Sequence, residues 1–183
     1  MSLPLLQIVP LTPERLAQLF QYLDDQLQEN GRNGMPLFQP LSRQQSRLPP
    51  EKAASFAASF AVPFGQPGWR CMWIALDSLG AIAGHVDLRA HRDPASCHRA
   101  LLGMGVQRDY RRFGLGRQLV ETALEWADAT PSLAWVDLEV LAANHAARRL
   151  YERAGFSVTG EVPDLYRIDG ESHSEVMMSR QVR

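Results

Sequence analysis

The stretch RALLGMGVQRDYRRFGLGRQLVETALEWADA, residues 99–129, constrains the fold more than any other. RALLGMGV reads as a strand. From Gly116 a helix is expected to run to about Ala129, with Leu119, Ala123, Leu124 and Ala127 on one face. Between them, RRFGLGR sets Gly114 and Gly116 among Arg111, Arg112 and Arg117. A helix N-terminus carries unpaired N–H groups and a partial positive charge, and both suit a phosphate. The glycines let the backbone approach such a group with no Cβ in the way. On its own, the turn equally suits a plain strand–helix connection with solvated arginines. It is not a P-loop, because Arg117 and Gln118 follow Gly116 where Lys and Ser or Thr are required. It is not a dinucleotide fingerprint either. Leu119 stands where a third small residue is wanted, and residues 107–113 separate the strand from the glycines.

The rest of the chain supplies the layers around this unit. LLQIVPL, residues 5–11, reads as a first strand. Thr12, Pro13 and Glu14 then read as an N-cap, an N1 proline and an early acid, opening a helix to about Asn30 with Leu16, Leu19, Phe20, Leu23 and Leu27 at helical spacing. Residues 30–50 have no period and form a long loop, either functional or mobile. A second helix starts near Pro50, with Ala53, Phe56, Ala57 and Phe60 on one face. CMWIAL, DSLG and AIAGHVDLRA read as a hairpin, and HRDPASCH as the loop leading to residue 99. AWVDLEVL alternates as a strand, and a short helix from Asn144 to Ala154 stops at Gly155. FSVTGEV and SEVMMSRQV are the last two strands, joined by an acidic loop, EVPDLYRIDGESH. This order implies an α+β sandwich on a mixed sheet, in one domain of 183 residues.

A net charge of −1 argues against a nucleic-acid partner. No apolar run is long enough to span a membrane, and MSLPLLQIVP lacks the basic region of a signal peptide. Cys71 and Cys97 lack CxxC spacing, so no disulfide framework and no metal is expected. A cytoplasmic protein is the resulting expectation.

VQRDYRRFGLGRQLVETAL resembles the acyl-coenzyme A motif of the GNAT N-acetyltransferases, with Arg111, Gly114 and Gly116 filling its Gln/Arg-x-x-Gly-x-Gly/Ala core. IALDSLGAIAGHVDL resembles that family's second and third strands, and LEVLAANHAARRLYERAGF its fifth strand, fourth helix and following Gly-Phe. The likeness covers roughly residues 70–180, in the family's order and spacing. It implies a three-layer α/β/α sandwich whose mixed, mostly antiparallel sheet is splayed at a central parallel pair. It places residues 1–69 on the acceptor side and residues 70–183 in the core that binds acetyl-coenzyme A. The co-substrate's pyrophosphate would rest on amides of Arg112, Phe113, Gly114, Leu115, Gly116 and Arg117. Its pantetheine amides would pair with Met104, Gly105 and Val106 as an added strand does.

Acetyl transfer to an amine needs a base for the ammonium and a proton donor for the departing thiolate. The core is similar to that of the ribosomal-protein alanine N-acetyltransferases, which share its LEV-x-x-x-N and LYE-x-x-GF arrangement. By that resemblance Glu139 is the general base, directly or through water, and Tyr151 the general acid. Asn144 would contact coenzyme A, and it can cap its helix at the same time. Taken without the resemblance, Asp137 reads as an outward strand residue and Tyr151 as a core aromatic. Many relatives carry a glutamate on the fourth strand where Leu101 stands here, which leaves Glu139, water or Asp87 as the base. His85, His91 and His98 are weaker candidates. The acceptor implied is a small-molecule or peptide amine, and the acidic loop could attract its positive charge. A coenzyme A-binding module without catalysis, or an interaction protein, would also fit the residues, and a homodimer is compatible with the reading.

Overall fold

A computed structural model describes residues 6–182. Leu5, where the first strand was expected to begin, lies outside them, and that strand, β1, is Gln7–Pro10. Thr12 is extended and makes no side-chain cap; its carbonyl takes the Arg15 N–H of a 3-10 turn, Pro13–Arg15, that leads into α1, Leu16–Gln28. Then follow α2 (Pro50–Ser59), β2 (Arg70–Leu76), β3 (Ile82–Ala90), β4 (Arg99–Val106), α3 (Leu115–Asp128), β5 (Trp135–Leu141), α4 (His145–Arg153), β6 (Ser157–Ile168) and β7 (Glu171–Gln181). The strands form one seven-stranded sheet in the order β1-β2-β3-β4-β5-β7-β6. Every neighbouring pair is antiparallel except β4 and β5.

Strand side chains alternate between the faces, and each face has its own apolar set. Val86, Leu88, Ala100, Leu102, Val136, Leu138, Val176 and Met178 pack with Leu115, Leu119, Val120, Ala123 and Leu124 of α3 and with Tyr151 of α4. On the opposite face Met72 and Ile74 pack with Leu19 and Tyr22 of α1, and Phe56 and Phe60 of the second helical segment close that cluster. Burying each such aliphatic side chain is worth about 1.5–3 kcal/mol, so the sheet is held from both sides. Among the described residues no helix is long and apolar enough to cross a membrane.

Two segments differ from their sequence reading. EVPDLYRIDGESH is mostly strand: β6 runs on to Ile168, and Asp169 and Gly170, at φ of +50° and +83°, make a tight turn into β7. Register shifts at Val158/Gly160 and Val162/Tyr166 break the alternation that would have marked the strand. Pro163 is tolerated because β6 is the outer strand of the sheet. Residues 30–50 are irregular, as expected, but they are built around one buried side chain. Asn30 Oδ1 accepts from the N–H groups of Phe38 (2.8 Å) and Gln39 (3.0 Å), while Nδ2 donates to Gln39 O and Ser46 Oγ, each at 3.0 Å. Arg43 then ties this loop to Asp169 (3.1 Å) and Glu171 (2.8 Å).

Candidate active site

The site lies where the sheet opens. β4 and β5 share only the register pairs Arg99↔Trp135, Ala100↔Val136 and Leu101↔Asp137, although β4 continues to Val106 and β5 to Leu141. Beyond those pairs β4 stays with β3, and β5 stays with β7 as far as Leu141↔Glu175. The two half-sheets therefore part, leaving a backbone edge on each arm. The Gln107 N–H bonds to Ala83 O at 2.9 Å, so strand alternation turns the N–H groups of Met104 and Val106 towards the gap.

Just past β4 the chain makes the glycine turn. Arg112 has φ +66° and Gly114 φ +82°, and α3 starts at Leu115. Gly114 is the N-cap and has no side chain to offer, so nothing of its own satisfies the first helical N–H groups. A Cβ on Gly114 would meet no atom within 4 Å, whereas one on Gly116 would come to 3.3 Å of Leu150 Cδ2 and 3.4 Å of Met104 Cε. The two glycines thus do different work. Gly114 supplies a left-handed conformation beside open space, and Gly116 lets the helix start press against β4 and α4.

The arginines also differ. Arg111 turns inward: Nε donates to Val106 O at 2.8 Å and Nη1 approaches Met35 Sδ at 3.0 Å. It tethers the end of β4 to the loop that carries Met35. Arg117 pairs with Glu121 at 2.6 Å, one helical turn on, and Arg112 and Phe113 are exposed.

Tyr151 reaches the fork from α4. Asn144 caps that helix, its Oδ1 accepting the Ala147 N–H at 3.3 Å. Tyr151 is 7% exposed, packs edge-on against Phe156 at 5.9 Å, and shares a cluster with Leu102 and Leu138, the first residues past the last β4–β5 pair. Its hydroxyl has no hydrogen-bond partner among the described residues. Burial, and then the charge of Asp87, raise its pKa above the usual phenol value. The group is a neutral O–H donor.

The other face of the sheet carries the carboxylates. Glu139 is exposed there, beside a cavity of about 400 Å³ that Leu101 also lines. Asp87 is buried and held by Arg89 at 3.2 Å and Arg70 at 3.7 Å. Asp137 accepts from Arg99 Nε (2.6 Å), Ser179 Oγ (2.5 Å) and His91 Nε2 (2.9 Å). Burial alone would raise its pKa, but these three donors together hold it below the usual carboxylate range. The sequence reading of Asp137 as an outward strand residue fails here, because the hub around it joins three strands and a loop. His85 meets Tyr22 Oη at 3.2 Å, and burial lowers its pKa to about 4, so it is neutral. The acidic hairpin is less available to a cation than its composition implied. Asp169 and Glu171 pair with Arg43, and Asp164 with Arg167. Sequence reading passed over Glu175 and Tyr166, whose hydroxyl donates to Glu175 Oε1 at 2.9 Å. Their place beside Glu139 depends on the β5–β7 register, which no local pattern reveals.

A family model described as "Acetyltransferase (GNAT) family" matches residues 39–156. The chain is 36% identical over 93 residues to mouse N-acetyltransferase family 8 member 3, covering 50% of this chain and 40% of that protein. It is 30% identical over 101 residues to the Arabidopsis thaliana N-terminal acetyltransferase A complex catalytic subunit NAA10, covering 55% and 52%. The chain thus spans about half the length, or less, of the curated relatives it matches. A GNAT-family acetyltransferase structure from Streptococcus pneumoniae superposes with TM-score 0.77 at 25% identity, covering 97% of this chain and 99% of that one. A phosphinothricin acetyltransferase from Sinorhizobium meliloti in complex with AcCoA superposes with TM-score 0.75 at 16% identity, covering 97% and 88%.

Proposed function

Because the chain belongs to the acetyltransferase (GNAT) family, we propose that it transfers the acetyl group of acetyl-coenzyme A to a primary amine of a small molecule or peptide. The observation that carries this reading is the fork: β4 and β5 part after Leu101↔Asp137, with the glycine turn beyond one arm and Tyr151, its hydroxyl unpartnered, in the core cluster that holds Leu102 and Leu138 of the two arms.

In this reading the pyrophosphate rests on the amides of Arg112, Phe113, Gly114, Leu115, Gly116 and Arg117, in the open space beside Gly114. The outward edge of Met104, Gly105 and Val106 pairs with the pantetheine arm. Arg111 serves by holding the end of β4, and Asn144 lines the arm from the start of α4. The thioester then lies in the gap, cofactor on the α3 and α4 face, acceptor on the face of Glu139.

The acceptor ammonium gives its proton to Glu139, directly or through water, and the free amine attacks the thioester carbonyl. A C–N bond forms, the attacking nitrogen passes its extra proton to solvent, and the tetrahedral oxyanion collapses with loss of the C–S bond. The sulfur takes its proton from the Tyr151 hydroxyl, giving an amide and coenzyme A, and the phenolate is reprotonated from solvent. Tyr151 suits the donor role because burial keeps it neutral. Glu139 suits the base better than Asp87 does, because two arginines engage Asp87. The likeness of LEVLAANHAARRLYERAGF to the ribosomal-protein alanine acetyltransferases supports these two roles and adds a peptide N-terminus to the acceptors worth testing. Following release of coenzyme A thiol with peptides, polyamines, amino acids and aminoglycosides tests the reading. Amine-dependent release that collapses in Tyr151→Phe is expected, and binding of acetyl-coenzyme A with no transfer to any amine would refute catalysis.

A further inference from the structure

We propose that the acceptor is a small zwitterion, an amine that also carries an anionic group, held between Glu139 and Arg92 in the cavity on the acceptor face; this rests on the transferase reading above. The cavity, about 400 Å³, lies where the β3–β4 connection meets Leu101 and Glu139. That volume is at the small end of the roughly 300–1,000 Å³ typical of small-molecule sites.

The charges on its wall decide the ligand. Arg89 is bound to Asp87, His91 to Asp137, and Asp93 accepts the Ala95 N–H at 2.8 Å. Arg92 and Glu139 remain, and neither side chain makes a hydrogen bond or ion pair among the described residues. They line one cavity with opposite charge and do not pair with each other. Tyr166 lies within electrostatic reach of both, and Glu175, bonded to its hydroxyl, also feels Glu139. The cavity wall therefore carries a negative charge at Glu139 and a positive one at Arg92, with the apolar Leu101 beside them.

An ammonium suits the Glu139 end, which is the end at the fork. A ligand with a cation alone would leave Arg92 facing an occupied cavity with no new partner. A second, anionic group on the ligand gives that guanidinium a charge-assisted bond, the strong kind. A carboxylate and a phosphonate offer the same chemistry.

The test measures initial rates of thiol release at saturating acetyl-coenzyme A. Acceptors are α-amino acids, their carboxamides and the matching aminoalkyl phosphonates. One charge-assisted bond predicts a preference of roughly tenfold or more in kcat/KM for an anionic acceptor over its carboxamide, mainly through KM. Carboxylate against phosphonate then shows which anion fits. Arg92→Ala should bring the acid-to-amide ratio towards one, and Arg92→Glu should invert it in favour of the carboxamides. Arg92 is exposed, so both variants should keep the parent's circular dichroism. Carboxamides used as well as acids, or a ratio that Arg92→Ala leaves intact, overturn the zwitterion site while the transferase reading stands. Calorimetry showing that the parent binds no acetyl-coenzyme A overturns both.

Discussion

Tyr151 and Glu139 make opposite demands on a proton, and their surroundings differ accordingly. Tyr151 is buried and unpartnered, with a raised pKa, so its proton stays on through the range in which amines become free. A donor that titrates late adds no alkaline limb to the pH–rate profile below about pH 10. Tyr151→Phe should slow turnover roughly 10²–10⁴-fold with little change in coenzyme A affinity, read from kcat and from calorimetry. Glu139→Gln should lose most at neutral pH and recover as pH rises, because free amine then forms without a base. A log(kcat/KM) profile in which the glutamine variant keeps the parent's neutral rate would move the base to Asp87 or ordered water. His85 gives a prediction of stability. Its folded pKa, about 4, lies below the unfolded value of about 6.5, so the unfolded chain binds the extra proton in acid. Stability is complete above about pH 6.5 and is lost as pH falls towards 4. In His85→Asn, which keeps a polar atom towards Tyr22 but cannot titrate in this range, urea midpoints should vary less with pH over that window.

At the level of elements, the glycine turn was legible because its cause is local. A strand, two glycines and an amphipathic helix are short-range patterns, and α3 was expected within a residue of where it lies. The division of labour between the glycines was not legible, because the Gly116 neighbours Leu150 and Met104 come from other elements. It changes what substitutions should do. Gly114→Val places its side chain in open space at a left-handed residue, costing about 1–2 kcal/mol of backbone strain and obstructing the pyrophosphate proposed to rest there. Gly116→Val also wedges α3 away from α4 and β4. Coenzyme A affinity should fall in both by calorimetry, but Gly116→Val should show the larger drop in melting temperature. The β6–β7 hairpin shows the opposite limit of sequence reading. Two register shifts and Pro163 erase the period-two signal, so composition suggested a loop where the sheet continues. The pairing of Arg43 with that hairpin's tip, and the cavity shared by Arg92 and Glu139, join residues far apart in the chain.

At the scale of the molecule, the fork is a compromise between two half-sheets. Each arm is zipped to its own antiparallel partner, and the arms meet through three register pairs only. Asp137 stands at the last of these pairs. It accepts from Arg99 of β4 and from His91, just past β3, on one side, and from Ser179 of β7 on the other. Its carboxylate thus braces the closed end of the gap in which the thioester is proposed to lie. Breaking such a buried cluster costs about 3–5 kcal/mol, with Asp137→Ala towards the lower figure because Arg99 retains access to water. Acid should act in the same direction. With its pKa depressed, Asp137 contributes stability above the ordinary carboxylate pKa of about 3.9, and that contribution fades as pH falls through the lower folded value. A local loss of charge and a loosened fork can be told apart by ligand linkage. Acetyl-coenzyme A at about a hundred times its dissociation constant should stabilise the parent by about 2.7 kcal/mol, since it binds only the folded chain. If Asp137 only neutralises neighbouring charges, the variant melts lower but gains the same increment from the same ligand concentration. If Asp137 holds the arms at the spacing the co-substrate needs, the variant's increment shrinks, because part of the binding energy is consumed in setting that spacing. Thermal melts of parent and Asp137→Ala, each with and without acetyl-coenzyme A, should show the smaller increment in the variant; equal increments would reduce Asp137 to a structural ion pair.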